Sequence, residues 1–464
     1  MWVPQLGEHQ QPVYLSIADA LGRDISSGRL RHGERLPTLR ELATALDITP
    51  GTVSRAYNEA SRRGLTQGEV GRGTYVLAAA EPRLPLPAAG AEAAERLRGE
   101  LLDLSIIKPH GESRQQWLRE ALATLAGSDA LEAALDYAPD GGHPAHRKAA
   151  AQWLGQWLPG AQWQQVVITS GAQHGLMVAV SALTESRDLI LCEALCYPGI
   201  ISVVHGTGRR LRGVPMDEYG IIPQALRELC MRERPAMLVC VASCQNPTTS
   251  TMPNARRAEI AAIAEEFDFL LLDDDIYGFL AADSDIRPLS TFAPERSVYL
   301  TSLSKSILPA LRIGYLYSPA RLLSRLTAMV RSSVWMPSPL TAQVASQVLS
   351  SGLHQQLIAQ HRAEAAERQA MAREIFAGHT LYAQPHSYHA WLQLPAPWRS
   401  DEFALLARAN GVLVMSASQF EAERNQAPQA VRLVLMSPTN RAELRFALTK
   451  LNSLLEGGDP KRFY

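Results

Sequence analysis

Five short apolar segments, separated by longer stretches of helical character, constrain the fold of this 464-residue chain more than any other feature. They read VVITS, LILCEA, MLVCVA, FLLLDD and SVYLTS and lie at 166–170, 189–194, 237–242, 269–274 and 297–302. Strands that are apolar at every position predict a mainly parallel sheet with helices on both faces. Open sheets of this kind bind ligands at the carboxyl ends of their strands. The residues that follow each segment are therefore the first candidates for a functional site.

Polar or glycine-rich residues follow the first four segments. A glycine turn, SGAQHG at 170–175, leads into a helix whose free amides and positive end suit a phosphate group. Tyr197 follows the second segment and can stack on a planar ring, and Asn246 follows the third as part of QNPT. Asp274 lies in a run of three aspartates, and a buried carboxylate is costly unless it meets a cation such as a pyridinium N–H. Taken singly, QNPT also fits a plain turn, and the aspartate run also fits a solvated loop or a magnesium site.

Lys305 follows the fifth segment and is one of only five lysines, against forty arginines. For an isolated residue, an ordinary surface lysine is the alternative. A primary amine forms a Schiff base with an aldehyde, whereas a guanidinium does not. Lys305 completes a set that contains a phosphate anchor, a stacking ring, an acid for a ring nitrogen and a donor for a ring hydroxyl. This set, in this order, predicts a binding site for pyridoxal phosphate.

The N-terminal part of the chain predicts a winged helix-turn-helix. After a first amphipathic helix, Thr38 and Glu41 form a capping box that begins a second helix. Thr49 is a natural N-cap, and Pro50 suits the first position of a third helix. Two β-prone pieces, the first ending at Gln67, flank the glycine-rich tip GEVGRG. A helix, a short turn, a second helix and a hairpin form the layout that places one helix in the major groove of DNA.

The chain divides into three predicted parts. They are a DNA-binding domain at 10–78, an Ala- and Pro-rich linker at 79–100, and a large domain at 101–464 with a small subdomain from about 350. Eight arginines and five acids between residues 29 and 77 give the first part a net charge of about +3. Because this excess is modest, a small helical interaction domain is the alternative for that part.

Composition narrows the class of protein further. Apolar residues make up 46% and charged residues 20% of the chain, as in ordinary globular proteins. No apolar run has the length of a bilayer span and the N-terminus lacks a signal peptide, so we expect a cytoplasmic protein. The odd number of cysteines argues against a disulfide framework. The pairs at 192/196 and 240/244 lack a second pair at zinc-finger spacing, so we expect no metal site.

The segments GERLPTLRELATAL, TVSRAY and GRGTYV resemble the DNA-binding domain of GntR-family regulators. The resemblance implies double-stranded operator DNA as a partner, with Arg40 against a phosphate or a base edge. The implied groove residues are Thr49, Thr52, Ser54 and Arg55, and the implied wing residues are Gly71, Arg72 and Gly73. One departure is the pair Pro50-Gly51, where many relatives carry polar residues.

The rest of the chain resembles the fold type I pyridoxal-phosphate enzymes, the aspartate aminotransferase superfamily. The shared motifs are YxxxxGxPxxR from Tyr137, SGAQxG, QNPT, DDxY and SxSKxxxPxLRxG. The resemblance covers residues 101 to 455. It implies an α/β fold with a large, mainly parallel sheet and a small α+β C-terminal part.

The same resemblance implies a role for each motif residue. Lys305 is the implied Schiff-base lysine, Asp274 pairs with the ring nitrogen, and Arg432 binds the carboxylate of a substrate or effector. The implied cofactor contacts are Tyr197 on the ring, Asn246 and Tyr277 at the phenolate oxygen, and Ala172, Gln173, Ser302, Ser304 and Arg312 at the phosphate. Tyr137 would reach the phosphate bound in the other subunit, which implies a homodimer.

A GntR-type domain joined to an aminotransferase-like domain is the architecture of MocR-type transcription regulators. It implies a DNA-binding regulator that uses covalently bound pyridoxal phosphate to sense an amino-acid or amine effector. Two alternatives stay open because the catalytic set Lys305, Asp274 and Tyr277 is intact. The chain could be an active aminotransferase, or it could sense pyridoxal phosphate itself.

Overall fold

A computed structural model describes most of the chain, and its residues group into two compact units, 1–84 and 85–464. The described residues are 2–4, 13–26, 29–30, 33–62, 65–69, 73–76, 101–109, 114–281, 285–423 and 427–457. The predicted linker lies outside them. Among the described helices, none is both long and apolar enough to cross a membrane.

The first unit has the predicted winged helix-turn-helix layout. Its described elements are the helices α1 (Val13–Ser26), α2 (Leu39–Leu46) and α3 (Pro50–Arg62) and the antiparallel strands β1 (Thr66–Glu69) and β2 (Gly73–Val76). The predicted end of the first β-piece at Gln67 is wrong, because pairing continues to Glu69 opposite Gly73. The rest of the hairpin tip, with Gly71 and Arg72, lies outside the described residues.

Capping and apolar spacing determine where the helices of this unit begin. Thr38 Oγ1 accepts a hydrogen bond from the Glu41 amide, and the Glu41 carboxylate accepts one from the Thr38 amide at 2.8 Å. The predicted capping box is therefore confirmed. Thr49 Oγ1 accepts from the Thr52 amide, as predicted for the residue that precedes α3. The core of the unit includes the buried residues Ile17, Leu21, Leu42, Val53 and Ala56.

The second unit alternates strands and helices along the chain. Its described strands are β3 (Leu102–Asp103), β4 (Val166–Thr169), β5 (Leu189–Glu193), β6 (Arg210–Val214), β7 (Met216–Asp217), β8 (Gly220–Ile221), β9 (Pro235–Cys240), β10 (Leu270–Asp274), β11 (Ser297–Ser302), β12 (Gly314–Tyr317), β13 (Leu381–Tyr382), β14 (His389–Gln393), β15 (Val412–Leu413), β16 (Met415–Ser416) and β17 (Ala430–Val434). Its described α-helices are α4 (Arg114–Ala126), α5 (Ala130–Ala133), α6 (Pro144–Leu154), α7 (Ala172–Leu183), α8 (Pro198–Gly206), α9 (Pro223–Arg232), α10 (Asn254–Glu266), α11 (Leu303–Ser306), α12 (Ala320–Val334), α13 (Pro339–Ser350), α14 (Leu353–Ile375), α15 (Ser400–Ala409) and α16 (Arg441–Gly457). Short 3-10 helices lie at Trp163–Gln165, Gly278–Ala281, Leu289–Phe292, Pro294–Arg296, Pro309–Leu311 and Ala417–Phe420.

Seven of the described strands form one large sheet in the order β4-β12-β11-β10-β9-β5-β6. Neighbours are parallel except β12, which runs antiparallel to β11 and β4. The predicted mainly parallel sheet is confirmed, and its five apolar segments are β4, β5, β9, β10 and β11. The sequence prediction lacks β6 and β12. β6 is an edge strand with exposed Arg210 and Arg212, and β12 has only four residues.

Two cores lie on the opposite faces of this sheet. Val167 of β4 packs with Val178 of α7 in one core. The next residue of β4, Ile168, packs with Trp153 of α6 and Tyr315 of β12 in the other core. Adjacent strand residues point to opposite faces, so burial on both faces explains why the segment is apolar throughout.

The small subdomain contains a second, antiparallel sheet in the order β13-β14-β17-β16. β15 pairs in parallel with β3, so the start of the second unit is attached to this subdomain. Within this subdomain the sequence also predicts a long charged helix from His361 to Phe376, and this prediction is wrong at its start because α14 begins at Leu353. The added residues read LHQQLIAQ and carry no Lys, Arg, Asp or Glu, so the charge pattern does not reveal them.

We expect Leu21→Ala to destabilise the first unit alone, because its core is separate from those of the second unit over the described residues. Leu21 is fully buried, and truncating a buried leucine costs about 2–5 kcal/mol. Differential scanning calorimetry should show one transition moved to lower temperature. Leu433→Ala in the small subdomain is the matched control and should leave that transition in place. A single transition shifted equally by both variants would contradict two independent units.

Candidate functional site

The carboxyl ends of β5, β9, β10 and β11 surround a cavity of about 370 Å³. Its lining residues are Ser105, Ile106, Ile107, Ala172, Gln173, Leu176, Tyr197, Pro198, Gly199, Asn246, Asp274, Ile276, Tyr277, Ser302, Ser304, Lys305, Arg312, Leu413, Val414, Met415, Gln419 and Arg432. All the residues that the sequence assigned to the cofactor or effector are among them, except Tyr137. The cavity therefore brings together side chains that are far apart in the sequence.

One end of the cavity combines the start of α7 with the loop between β11 and β12. The amides of Ala172 and Gln173 lie in the first turn of α7 and therefore have no partner within the helix. Gly171, which precedes α7, provides no side-chain cap for them. Arg312 lies beside them because the antiparallel β12 begins at the sheet edge where β4 and β11 end. Its Nη2 donates to the Ser170 carbonyl oxygen at 3.2 Å. A helix start beside a guanidinium suits a phosphate group.

Two glycines permit this close approach. A Cβ on Gly171, whose φ is +86°, would lie 2.6 Å from Arg312 Nη2, and a Cβ on Gly314 would lie 2.7 Å from the Gly171 carbonyl carbon. Two serines complete this end of the cavity. Ser302 Oγ accepts from the Ser304 amide at 3.4 Å, and Ser304 Oγ is buried with no hydrogen-bond partner among the described residues. We call this end of the cavity the phosphate cradle.

Lys305 lies in the short helix α11, directly after β11, and its side chain lines the cavity. Its Nζ donates to the Ile107 carbonyl oxygen. Burial, together with the guanidinium charges of Arg432 and Arg312, lowers the pKa of Lys305 to about 8. More of this amine is therefore neutral and nucleophilic near neutral pH than in an exposed lysine.

Asp274 ends β10 and is only 3% exposed. Its Oδ1 has no hydrogen-bond partner among the described residues. Burial, together with the charges of Asp275, Glu193 and Asp273, raises the pKa of Asp274 to about 8. A cationic or N–H partner would restore the charge of this carboxylate. The solvated-loop alternative for the aspartate run is wrong, since all three side chains are buried.

The two flanking aspartates are held by protein groups. Asp273 accepts from the Ser290 amide at 2.8 Å, and Asp275 accepts from the Tyr299 hydroxyl at 3.0 Å. The guanidinium of the fully buried Arg257 lies near enough to lower the pKa of both carboxyl groups against the effect of burial. Of the three aspartates, only Asp274 lines the cavity. It is therefore the one placed to meet a ligand.

Three further side chains surround the middle of the cavity. Asn246, which precedes a cis peptide bond to Pro247, and Tyr277 are both buried. Tyr197 precedes α8 and is half-buried. Burial raises the pKa of the Tyr197 hydroxyl, and the charge of Asp274 raises it further, so the two groups lie close to one another. The plain-turn alternative for QNPT does not account for a buried amide that faces the cavity.

Arg432 reaches the cavity from β17 of the small subdomain and is 4% exposed. Its Nη1 donates to Asn246 Oδ1 at 2.7 Å, and its Nη2 donates to the Ser105 carbonyl oxygen and to Met415 Sδ. The guanidinium also lies 5.0 Å from the centre of the Phe420 ring. Burial lowers the pKa of Arg432 to about 10, so the side chain keeps its positive charge at neutral pH.

Tyr137 lies outside the cavity and is 75% exposed. Its ring makes an edge contact with Trp335, with 6.2 Å between ring centres. The Arg331 guanidinium lies over the Trp335 ring, 4.6 Å from its centre, and forms an ion pair with Asp140. The structure of one chain thus places Tyr137 on a surface, away from Lys305.

Two groups of residues in or near the cavity are not predicted by the sequence patterns. Ser105 and Ile107 accept hydrogen bonds from Arg432 and Lys305 through their backbone carbonyls, which no side-chain pattern reveals. Glu193 ends β5, and its Oε1 accepts from the Val241 amide at 2.6 Å. Burial raises the pKa of Glu193 to about 7. An acid that ends an apolar segment was the available signal for Glu193, as it was for Asp274.

The predicted DNA-binding residues lie on the first unit. Arg40, Thr49 and Arg55 are exposed, and Thr52 and Ser54 are half-buried on α3. Gly73 begins β2, whereas Gly71 and Arg72 lie outside the described residues. Arg35 is a cation that the prediction missed. Its guanidinium lies against Gly73, where a Cβ would come within 2.9 Å of its Nε.

The cavity offers the groups that pyridoxal phosphate, the cofactor predicted from the sequence, requires. The buried Oδ1 of Asp274 and the buried Oγ of Ser304 lack partners among the described residues, and the phosphate cradle exists only because Gly171 and Gly314 have no side chain. Lys305 supplies a primary amine in the same space. These residues fit the group. Together with the sheet order they define an aminotransferase-like domain of fold type I, in a chain that also carries a winged helix-turn-helix.

Comparisons with protein families identify both parts. The model of aminotransferase class I and II matches residues 100–451, and the model of bacterial regulatory proteins of the gntR family matches residues 13–76. The chain belongs to the aminotransferase class I and II family and carries a GntR-type DNA-binding domain. Within that class it is a transcription regulator of the MocR type.

Relatives named as HTH-type transcriptional regulators cover between 72% and 98% of this chain. The HTH-type transcriptional regulator YdeF of Bacillus subtilis is 26% identical over 98% of this chain and 97% of its own length. TauR of Rhodobacter capsulatus, also an HTH-type transcriptional regulator, is 30% identical over 84% of this chain and 86% of its own. PdxR of Corynebacterium glutamicum, a pyridoxine biosynthesis transcriptional regulator, is 28% identical over 72% of each chain.

Solved structures support the fold of the second unit. An archaeal alanine:glyoxylate aminotransferase superposes with a TM-score of 0.73 at 20% identity, over 79% of this chain and 94% of that protein. Aspartate aminotransferase of Thermus thermophilus with maleate superposes with a TM-score of 0.70 at 21% identity, over 78% and 95% of the two chains.

We expect Gly171→Ala to weaken binding of pyridoxal phosphate by on the order of tenfold or more, since the new methyl group displaces the Arg312 guanidinium from the phosphate cradle. Gly160→Ala is the matched control. Gly160 also has a positive φ, +80°, but has no atom within 4 Å of the Cβ position. Spectrophotometric titration with the cofactor measures both affinities. Equal affinities in the two variants would contradict the assignment of the cradle.

Proposed function

We propose that this regulator carries pyridoxal phosphate on Lys305 and uses it to sense an amino acid or another amine. The observation that carries the proposal is the single cavity in which Lys305, Asp274 and Arg432 meet beside the phosphate cradle. The name of the Corynebacterium glutamicum relative links a protein of this type to pyridoxine. We also propose the boundaries 10–78 for the DNA-binding domain, 79–100 for the linker and 101–464 for the effector domain, with a small subdomain from about 350.

Each residue of the cavity has a proposed task. When bound, pyridoxal phosphate supplies an aldehyde carbon that bonds reversibly to primary amines. The residues proposed to hold its phosphate are Ala172, Gln173, Ser302, Ser304 and Arg312. Asp274 pairs with the ring nitrogen, and Tyr197 lies against the ring. Asn246 and Tyr277 donate hydrogen bonds to the phenolate oxygen.

Arg432 determines the class of effector. A guanidinium binds a carboxylate through paired hydrogen bonds, and Arg432 is buried, charged and directed into the cavity that holds Lys305. The effector is therefore proposed to carry a primary amine and a carboxylate. The wall beside Arg432 is largely apolar, with Leu413, Val414 and Met415.

A homodimer is proposed as the working form. Besides Tyr137 and Trp335, several large apolar side chains of the second unit are exposed: Leu122, Leu135, Val334 and Leu340. Exposed apolar surface of this kind is typical of an interface with another protein. In the proposed dimer, Tyr137 reaches the phosphate bound in the partner subunit.

The DNA-binding domain is proposed to place the start of α3 in the major groove of operator DNA. Thr49, which precedes α3, and Thr52 in its first turn share a hydrogen bond at 2.9 Å between their hydroxyl groups, and Ser54 and Arg55 follow. Arg40 lies on α2 and is exposed. Gly71, Arg72 and Gly73 form the proposed wing, with Arg35 beside Gly73.

We expect Arg40→Ala to weaken operator binding and to reduce the slope of log affinity against log salt by about one, as loss of one phosphate contact does. If Arg40 reads a base edge instead, discrimination against mutated operators should fall by about 1–3 kcal/mol. Arg399→Ala, an exposed arginine of the second unit, is the matched control. Fluorescence anisotropy over a salt series measures the slopes. Identical binding by both variants would exclude Arg40 from the DNA contact.

A sensor and an enzyme are separated by their response to amines. We expect an effector to change operator affinity by the coupling usual in allostery, about 1–3 kcal/mol. Lys305→Ala should abolish the change and preserve basal DNA binding, while Lys450→Ala, which alters a lysine outside the cavity, should behave like the wild type. The measurement is operator anisotropy across a panel of amines, together with a keto-acid turnover assay.

The two alternatives predict different outcomes of the same experiment. Rapid turnover with no amine that alters DNA affinity would favour an active aminotransferase. A change in affinity that follows the addition of pyridoxal phosphate alone, with no further effect of any amine, would favour a sensor of the cofactor itself. The intact set of Lys305, Asp274 and Tyr277 is the observation that keeps the enzyme alternative open.

A further inference from the structure

Residues 101–109, here called the strap, connect the small subdomain with the cavity. At one end the strap pairs with the subdomain through β3 and β15. The Leu104 amide donates to the Leu413 carbonyl oxygen at 2.8 Å, and the Val434 amide donates to the Leu104 carbonyl oxygen at 2.8 Å. This end of the strap is therefore anchored to both β15 and β17.

Asp103 turns the strap from the anchored end towards the cavity. Its Oδ1 accepts from the Ser105 amide at 2.8 Å and from the Ser105 hydroxyl at 2.6 Å. A carboxylate that bonds to the backbone two residues on forms an Asx turn. Beyond this turn, Ser105, Ile106 and Ile107 line the cavity.

Beyond the turn, two backbone carbonyls accept hydrogen bonds from two cationic side chains. Arg432 Nη2 donates to the Ser105 carbonyl oxygen, and Lys305 Nζ donates to the Ile107 carbonyl oxygen. Hydrogen bonds from cations belong to the strong class. Lys305 follows β11 of the large sheet, and Arg432 lies in β17 of the small one. The strap thus holds both parts of the second unit at the cavity through its backbone.

Both donors are groups that the proposed cofactor and effector need. When Lys305 Nζ bonds to an aldehyde carbon, the C=O bond breaks and two of the three ammonium protons leave with the oxygen as water. Nζ then keeps one N–H in place of three. A carboxylate bound at Arg432 would accept hydrogen bonds from two N–H groups of its guanidinium. The same guanidinium donates to the Ser105 carbonyl oxygen of the strap. Bound ligands and the strap therefore compete for the same hydrogen-bond donors.

We propose that the strap is an internal competitor for Lys305 and Arg432, and that its release from these two side chains carries the signal towards the DNA-binding domain. In the sequence, the proposed linker at 79–100 ends directly before residue 101, where the strap begins. The strap is thus the first segment of the effector domain that the linker meets. The inference rests on the proposed function and adds to it the route by which occupancy of the cavity acts.

Hydrogen–deuterium exchange on the wild-type protein tests the release directly. Three states are compared: the cofactor-free protein, the protein with pyridoxal phosphate, and the protein with both pyridoxal phosphate and a mixture of the twenty standard amino acids. We expect amides at 105–108 to exchange on the order of tenfold faster with pyridoxal phosphate. The Ile107 carbonyl then loses the hydrogen bond from Lys305 Nζ that holds this part of the strap in place. The amide of Leu104, in the anchored end, should change little. Unchanged or slower exchange at 105–108 in both loaded states would overturn the proposal.

A pair of variants at Asp103 tests the signal without any ligand. Asp103→Ala removes the acceptor that turns the strap, so we expect its cofactor-free form to exchange at 105–108 like the loaded wild type. Its operator affinity should also equal that of the loaded wild type. Asp103→Asn keeps an acceptor oxygen at the same position and should behave like the cofactor-free wild type. Unaltered exchange in β10 and β11 would show that both variants fold like the wild type.

Failure of this inference differs from failure of the proposed function. If ligands change operator affinity and exchange at 105–108 stays constant, the function stands and the strap is not the route. If pyridoxal phosphate accelerates exchange at 105–108 and no ligand changes operator affinity, the competition stands and the sensing function fails. If Asp103→Ala accelerates exchange at 105–108 without changing operator affinity, release of the strap is not the signal.

Discussion

The parallel pairing of β5, β9, β10 and β11 is the constraint on which the site depends. Parallel strands end at the same edge of a sheet, so residues that follow different strands come together there. Asn246, Asp274 and Lys305 meet for this reason alone. The antiparallel β12 adds Arg312, because the start of this strand lies at the edge where its neighbours end.

Burial of charge connects this geometry to chemistry. Burial raises the pKa of Asp274 and lowers that of Lys305, which favours the neutral carboxyl group and the neutral amine. A cofactor with a basic ring nitrogen would restore the charge of the carboxylate, and its aldehyde would react with the amine. Arg257 offsets the charges of the flanking aspartates and so leaves Asp274 as the carboxylate available to a ligand. The competition proposed for the strap has the same origin, since buried cations need hydrogen-bond acceptors and the carbonyls of Ser105 and Ile107 supply them.

Sequence patterns predicted much of the fold and of the site, and the reasons are local. β4, β5, β9, β10 and β11 are mainly apolar up to their carboxyl ends, which is the direct result of burial on two faces. Capping by Thr38 and Thr49 depends on residues within one turn of each helix. The roles of Arg312 and Arg432 came from resemblance to a family, because nothing in the local pattern of an arginine shows which cavity it enters. β6 was missed because exposed Arg210 and Arg212 interrupt its apolar pattern, and β12 was missed because Leu316 is the only aliphatic residue in its sequence GYLY.

The sequence by itself determined the class of protein: a GntR-type DNA-binding domain followed by an aminotransferase-like domain with Lys305 at a strand end. The tertiary structure decided which groups meet, because such contacts depend on strand order and not on spacing along the chain. It showed that Arg432 donates to Asn246 and to the strap, and that Glu193 joins the buried carboxylates near Asp274. It also placed Tyr137 on an exposed surface, outside the cavity of its own chain. The strap contacts in particular use backbone carbonyls, which every residue has, so no sequence pattern can distinguish them.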